Sequence, residues 1–271
     1  MSSQSVLKKL SEIPMEVRPG VAEGLWAQMR GRFDEAEIRR VRGLLDCWSG
    51  VVPKALRPEQ EAAYDLYFPD LEHDEPWLDP ALFQLAADLE ASFGALREEY
   101  DRLQSSGIPF KPYGRGPDDP ADVEPLPGYP AGWKEFGLIH EFQPLPANCA
   151  QAPVATRLSQ NALAYHDVVA QFTYLVLEPG ASIELHTDPA NFLVSCHLGI
   201  KVPPGCTLTV ADEERAWSEG KCIAFNNSFR HHAHNRGTET RAILSVHALH
   251  PSLTPTERRA IGSLIEVLTM I

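Results

Sequence analysis

Apolar positions along the chain change their spacing partway, from a helical to a strand-like rhythm. As far as about residue 105 they recur at intervals of three and four. The run Glu35-Ala36-Glu37-Ile38-Arg39-Arg40-Val41-Arg42-Gly43-Leu44-Leu45 predicts one helix. A second is predicted over residues 81–103, with Asp79 as N-cap and Pro80 in its first turn. There Leu82, Phe83, Leu85, Leu89, Phe93, Leu96 and Tyr100 form one apolar stripe. The charges in Arg97-Glu98-Glu99 and Asp101-Arg102 then read as its solvated face. Between residues 105 and 130 Gly, Pro and Asp dominate and sustain neither helix nor central strand, which predicts a linker or long ordered loop. Beyond it, short β-prone runs cover residues 133–142, 171–177, 182–185, 192–202, 206–210, 221–225 and 241–249. Turn sequences separate them, among them Glu178-Pro179-Gly180, Pro203-Pro204-Gly205 and Ser218-Glu219-Gly220. That pattern predicts an antiparallel sandwich or barrel. Thr254-Pro255-Thr256-Glu257 supplies an N-cap, a first-turn proline and a capping-box glutamate, so a final helix is predicted through Ile271, packed on the barrel.

Composition narrows the function classes. A chain of 271 residues is long enough to bury roughly three quarters of its unfolded surface. Its 24 basic and 37 acidic residues give a net charge of −13 without long acidic runs, which argues against nucleic acid or an anionic membrane as partner. The first residues lack an apolar signal region and no later run approaches a membrane span, so a cytoplasmic protein is expected. Five cysteines, Cys47, Cys149, Cys196, Cys206 and Cys222, are widely spaced without a C-x-x-C pair. They read as mostly buried thiols rather than disulfides or zinc ligands.

The candidate chemistry lies between residues 185 and 241. On a strand, His186 and Asp188 project to the same side and can reach one ion. One further histidine from His231, His232 or His234 completes two histidines and a carboxylate, the ligand set suited to non-haem Fe(II). Arg241 stands out as a cation at the start of an otherwise apolar strand that also carries Ser245 on the same face. His140, His166, His247 and His250 read as structural, and Trp133 and Phe136 as packing or as walls of a substrate mouth.

Several segments together resemble the aspartyl/asparaginyl β-hydroxylase family. They are Glu178-Pro179-Gly180 leading to His186-Thr187-Asp188-Pro189, Cys196-His197-Leu198-Gly199 before Val202-Pro203, and Trp217-Ser218-Glu219-Gly220-Lys221. Asn227-Ser228-Phe229-Arg230-His231, Arg241 and His250-Pro251-Ser252-Leu253-Thr254-Pro255 complete the match. The resemblance implies an α+β fold with a mainly β core, a double-stranded β-helix of jelly-roll, cupin-like type. Residues 1–130 would form a helical region with its Pro/Gly-rich linker, 131–251 the oxygenase barrel and 252–271 the C-terminal helix. It implies a hydroxylase using Fe(II), 2-oxoglutarate and O2 on an amino acid, an amino-acid derivative or a peptide. By the resemblance His186 and His231 would be the two metal histidines, Arg241 the cation for the co-substrate and His197 a second polar group beside it; from the residues' own spacing Asp188 would complete the metal set and Ser245 would join Arg241 on the co-substrate face. Well-studied animal members carry glycine at the position of Asp188 and arginine at that of Ser195. The first departure makes a full triad available; the second removes a cation beside the substrate, for which Arg157, Lys134 or Arg230 could compensate. Two other readings compete: a cupin-like metalloenzyme that does not use 2-oxoglutarate, for which Arg241 has no purpose, and a non-catalytic ligand-binding barrel.

Overall fold

The computed structural model describes residues 10, 12–57, 60, 66–115, 119–120, 122–164 and 169–269. The expectations for His166, for the first residues of the chain, for parts of the linker and for the last two residues of the final helix lie outside the described residues. Helices α1 (Arg18–Arg30) and α2 (Arg39–Trp48) come first, then a short strand β1 (Trp77–Leu78). Helices α3 (Gln84–Ala91) and α4 (Phe93–Ser105) and strand β2 (Lys111–Pro112) follow. Next are β3 (Trp133–His140), β4 (Gln143–Pro144), α5 (Pro146–Gln151) and α6 (Pro153–Ala164). The remaining strands are β5 (Val169–Leu177), β6 (Ser182–His186), β7 (Leu193–Lys201) and β8 (Cys206–Val210). After them come β9 (Glu213–Ala216), β10 (Cys222–Asn226), β11 (His231–Asn235), β12 (Arg241–Leu249) and helix α7 (Pro255–Thr269).

The strands form two antiparallel sheets. The larger runs in the order β1-β10-β7-β12-β5-β3-β2, with β4 also pairing β3, and the smaller β6-β11-β8-β9. Their facing surfaces enclose a core of Leu175, Leu208, Val210, Trp217, Phe225, Phe229 and Ile243. This is the jelly-roll, cupin-like double-stranded β-helix with helices attached, an α+β protein with a mainly β core. The outer face of the larger sheet is covered by α3, α4 and α6 through Leu89, Leu96, Leu103, Leu138, Phe172 and Leu244. The turns predicted from Pro203-Pro204-Gly205 and Ser218-Glu219-Gly220 are present, with Gly205 at φ 89° and Gly220 at φ 72°, a region glycine occupies without steric cost.

A separate apolar cluster joins α1, α2 and α7 through Trp26, Met29, Val41, Trp48, Ile261 and Leu264. Arg40 ties this layer together with a fork onto Glu257, Nε to Oε1 at 2.7 Å and Nη2 to Oε2 at 2.5 Å. Glu257 also closes the predicted capping box: the Thr254 N–H donates to it at 2.8 Å, and its own N–H donates to Thr254 Oγ1 at 3.2 Å.

Three local expectations need correction. The helix predicted over residues 81–103 is broken. Asp79 does accept from the Ala81 N–H at 2.9 Å, but it caps a single 3-10 turn, Pro80–Leu82. Phe83 is then extended (φ −113°, ψ 114°), and a second break falls at Ser92, just before Phe93 and Gly94. Burying the Phe83 ring under the sheet overrides the helical stripe. Glu99 is not on a solvated face. Buried at 3% exposure, it accepts from the N–H groups of Val154 (2.7 Å) and Ala155 (3.1 Å) and from the Tyr174 hydroxyl (3.0 Å), capping the start of α6. The supposed linker contributes β2, which adds to the edge of β3.

Candidate metal centre and cavity

Strand pairing assembles the cluster. His231 on β11 stands opposite His186 at the end of β6, and their ring centroids are 4.1 Å apart. Each Nδ1 lies 2.8 Å from the carbonyl oxygen two residues earlier, Glu184 O for His186 and Phe229 O for His231. Carbonyl oxygens only accept, so both Nδ1 atoms carry the proton and both Nε2 atoms keep a lone pair for a metal. Asp188 follows two residues after His186. Its backbone N–H donates to Asn227 O at 2.9 Å, and its Oδ2 accepts from Asn227 Nδ2 at 2.8 Å, leaving Oδ1 for a ligand role. Ligand atoms of His186, Asp188 and His231 all fall within 4.8 Å of one another, a spacing that can hold a metal ion. His232 and His234 pair with each other, ring centroids 5.0 Å apart, and do not belong to that group.

Electrostatics favour the ligand forms. Burial, then the neighbouring His186, pushes His231 down to about 4, so its imidazole is neutral at physiological pH. Burial raises Asp188, but His231, His247 and His186 outweigh it and hold the carboxyl below its ordinary value.

The loops that carry these candidate ligands are braced from the N-terminal half. Gln60 donates to Ser228 Oγ at 2.9 Å, and Asn226 donates to Asp74 at 3.0 Å. The Leu66 N–H reaches Pro189 O at 3.0 Å, and Asn191 clasps the Phe68 backbone through both ends of its amide.

Arg241, the first residue of β12, is 2% exposed and lines the same cavity as the three candidate ligands. Its guanidinium stacks over Trp217 at 4.7 Å, and its Nε and Nη2 have no partner among the described residues. Burial brings it down to about 10, still cationic at neutral pH. Beside it His197 Nδ1 and Ser245 Oγ are also buried without partners, and the register sets these two residues opposite each other on β7 and β12. Unpaired buried donors are costly, and their convergence on one cavity marks a place for an anionic ligand. Burial also drives His197 well below the usual histidine range, so it is neutral.

Four contributors were not expected as site residues. Trp217, Asn227, Tyr113 and His247 all touch the cavity or its ligands, and His247, read as structural, lines the pocket facing Asp188. Trp133 lines it too, stacked on Tyr113 at 3.7 Å, whereas Phe136 points to the opposite side of the sheet and stacks on Phe110 at 5.5 Å. His250 is structural as expected: it is fully buried and its Nδ1 lies 2.9 Å from Ser252 Oγ. The cysteines are free thiols, four buried and Cys149 half-buried.

A double-stranded β-helix with two histidines and a carboxylate converging on one cavity, and a buried unpaired arginine at its far end, defines a class of barrel built around a candidate metal centre. The sequence model of the aspartyl/asparaginyl beta-hydroxylase family matches residues 90–251, and the chain belongs to that family. Its relatives include aspartate beta-hydroxylase domain-containing protein 2 of Homo sapiens, 36% identical over 138 residues, covering 49% of this chain and 37% of that protein. Domain-containing protein 1 of Homo sapiens is 33% identical over 180 residues, covering 64% and 44%. The aspartyl/asparaginyl beta-hydroxylase of Mus musculus is 31% identical over 137 residues, covering 49% and 18%. The match therefore spans less than half the length of each of these relatives. Among solved structures, a double-stranded β-helix cupin protein of Methanocaldococcus jannaschii superimposes on 30% of this chain and 71% of its own, at 22% identity and a TM-score of 0.25. Among the described residues, no helix is long and apolar enough to cross a membrane.

Proposed function

We propose that this protein is an Fe(II)- and 2-oxoglutarate-dependent hydroxylase acting on an amino acid, an amino-acid derivative or a peptide. Membership of the family supports hydroxylation, and the cavity supports the cofactors. The observation that carries the reading is Arg241: a permanently charged, fully buried guanidinium with two unpaired donors, in the same cavity as a two-histidine, one-carboxylate cluster. A cupin-like enzyme without an anionic co-substrate would leave that charge uncompensated at considerable cost.

The donor set fits the proposed groups. Two neutral imidazoles and a carboxylate on one face suit Fe(II) and leave positions open for co-substrate and oxygen. Arg241, with Ser245 and His197 nearby, matches a dicarboxylate: the planar fork takes the distal carboxylate in a bidentate way, and the hydroxyl and imidazole satisfy its remaining lone pairs. When bound, iron and 2-oxoglutarate supply the oxidising chemistry, in which O2 and the co-substrate give succinate, CO2 and a hydroxylated C–H. This chain's residues do the positioning. Asn227 orients Asp188, the carbonyls of Glu184 and Phe229 set the histidine tautomers, and Trp217 covers the guanidinium and excludes water from it.

Incubation with Fe(II), 2-oxoglutarate and O2, with succinate followed by mass spectrometry, tests the reading. Succinate release abolished in His186→Ala and His231→Ala is the expected result. Unchanged release in those variants, or none from the parent protein with any amino acid or peptide added, contradicts it.

A further inference from the structure

One transverse row of residues crosses the interior face of the larger sheet beside the metal cluster. The register sets Gln171 opposite His247, His247 opposite Ser195, and Ser195 opposite Phe225. His247, Ser195 and Phe225 line the cavity that holds His186, Asp188 and His231, and the Phe225 ring packs edge-on 5.4 Å from that of His231. Directly paired residues on antiparallel strands share a face with Cβ atoms about 4.5–5.5 Å apart, so the Ser195 hydroxyl and the His247 imidazole are neighbours. Gln171 is held from behind. Its Nε2 donates to Glu135 at 3.4 Å, and its side chain also bonds to Tyr113.

The charge around this row is distinctive. Among the described residues lining the cavity, Arg241 is the sole guanidinium or ammonium. It lies six residues from His247 along β12, about 20 Å at 3.3 Å per residue. Lys134, Arg157 and Arg230 do not line the cavity, and Lys134 is paired with Glu178 at 2.5 Å. The end of the site away from Arg241 therefore offers hydrogen-bond donors and acceptors without a cation.

We propose that Ser195 and His247 form a specificity element that selects a side-chain carboxamide over a carboxylate. This rests on the reading given under Proposed function and deepens it by naming the substrate class. A hydroxyl and an imidazole can each donate and accept, and a carboxamide needs both: its oxygen accepts from one partner while its NH2 donates to the other. A carboxylate entering the same position loses its hydration with no cationic side chain to pair with, a cost that hydrogen bonds alone offset only in part.

The test is an anaerobic calorimetric titration of the full chain loaded with Fe(II) and 2-oxoglutarate. The probes are the N-acetyl, C-methylamide forms of asparagine, glutamine, aspartate and glutamate at pH 7.5. The expected result is that one amide binds at least tenfold tighter than its matching acid. Ser195→Ala and the more conservative His247→Gln should each weaken that amide by about tenfold while changing the acid less than twofold. Equal or tighter binding of the acids, or no binding by either amide, overturns the proposal. Failure of 2-oxoglutarate itself to bind the iron-loaded protein is the separate failure of the co-substrate reading.

Discussion

His186 and His231 face each other across one antiparallel strand pair, each with Nδ1 fixed by a carbonyl two residues earlier in its own chain segment. The two rings are therefore oriented by local backbone geometry before any metal arrives, and Asp188 is oriented by a partner on the other loop, Asn227. Three candidate ligands held this way would make a site whose affinity depends on the residues behind them.

The first prediction follows from that arrangement. Iron content, measured after anaerobic loading and desalting, should be lost in His186→Ala and His231→Ala. Asn227→Ala should retain the fold and lower iron affinity by about 10–100-fold, the range seen when such supporting partners are removed. Full affinity in Asp188→Ala would mean that the two histidines suffice.

A second prediction concerns Arg241. Its replacement by alanine should weaken 2-oxoglutarate binding by about 2–5 kcal/mol, because the co-substrate carboxylate would be buried without a partner. Lysine should rescue only part of this, since it supplies charge without the planar fork. Equilibrium titration of iron-loaded variants reads the effect; an unchanged constant in Arg241→Ala removes the assignment.

Glu99 gives a prediction about stability alone. Glu99→Ala would leave the Val154 and Ala155 N–H groups and the Tyr174 hydroxyl without their buried acceptor. Urea denaturation should show a loss of about 2–4 kcal/mol, the scale of several unsatisfied buried donors. A loss below about 0.5 kcal/mol would place Glu99 on a solvated surface after all.

Glu135 makes stability depend on pH. It is 7% exposed, and burial raises its carboxyl from 4.5 to about 7, against the opposing hydrogen bond from the Gly114 N–H. Because its folded value lies above its unfolded one, the folded state binds more protons between these two values. Its contribution is present below about pH 4.5 and is lost as pH rises through about 7. The difference in unfolding free energy between the parent protein and Glu135→Gln should therefore shift in favour of Glu135→Gln by up to about 3 kcal/mol from pH 4.5 to 8. A pH-independent difference would contradict this.

Much of the barrel and the clustering of its candidate ligands could be read from the chain because both depend on local pattern. A histidine and an aspartate two apart on a strand share a face whatever surrounds them, and Thr254-Pro255-Thr256-Glu257 caps a helix by itself. The choice among His231, His232 and His234 depended on which face of β11 turns inward, which resemblance indicated and strand pairing supplied. What stayed hidden depends on distant partners. Glu99 is buried because α6, some 55 residues later, brings two N–H groups to it. His247 is a lone histidine in an apolar strand, and only the pairing of β12 with β5 and β7 brings it to the cavity. Helices α5 and α6 gave no clear pattern because α5 buries none of its residues and α6 buries mostly small ones, Ala155, Ser159 and Ala162, which carry little periodic signal.

The central claim is that one metal and one dicarboxylate share this cavity, and metal-dependent binding of 2-oxoglutarate tests it most directly. Anaerobic calorimetry should find one Fe(II) per chain, then one 2-oxoglutarate that binds the iron-loaded protein far more tightly than the metal-free one and is lost in Arg241→Ala. Equal binding with and without iron, or binding that survives loss of both His231 and Arg241, would contradict the account.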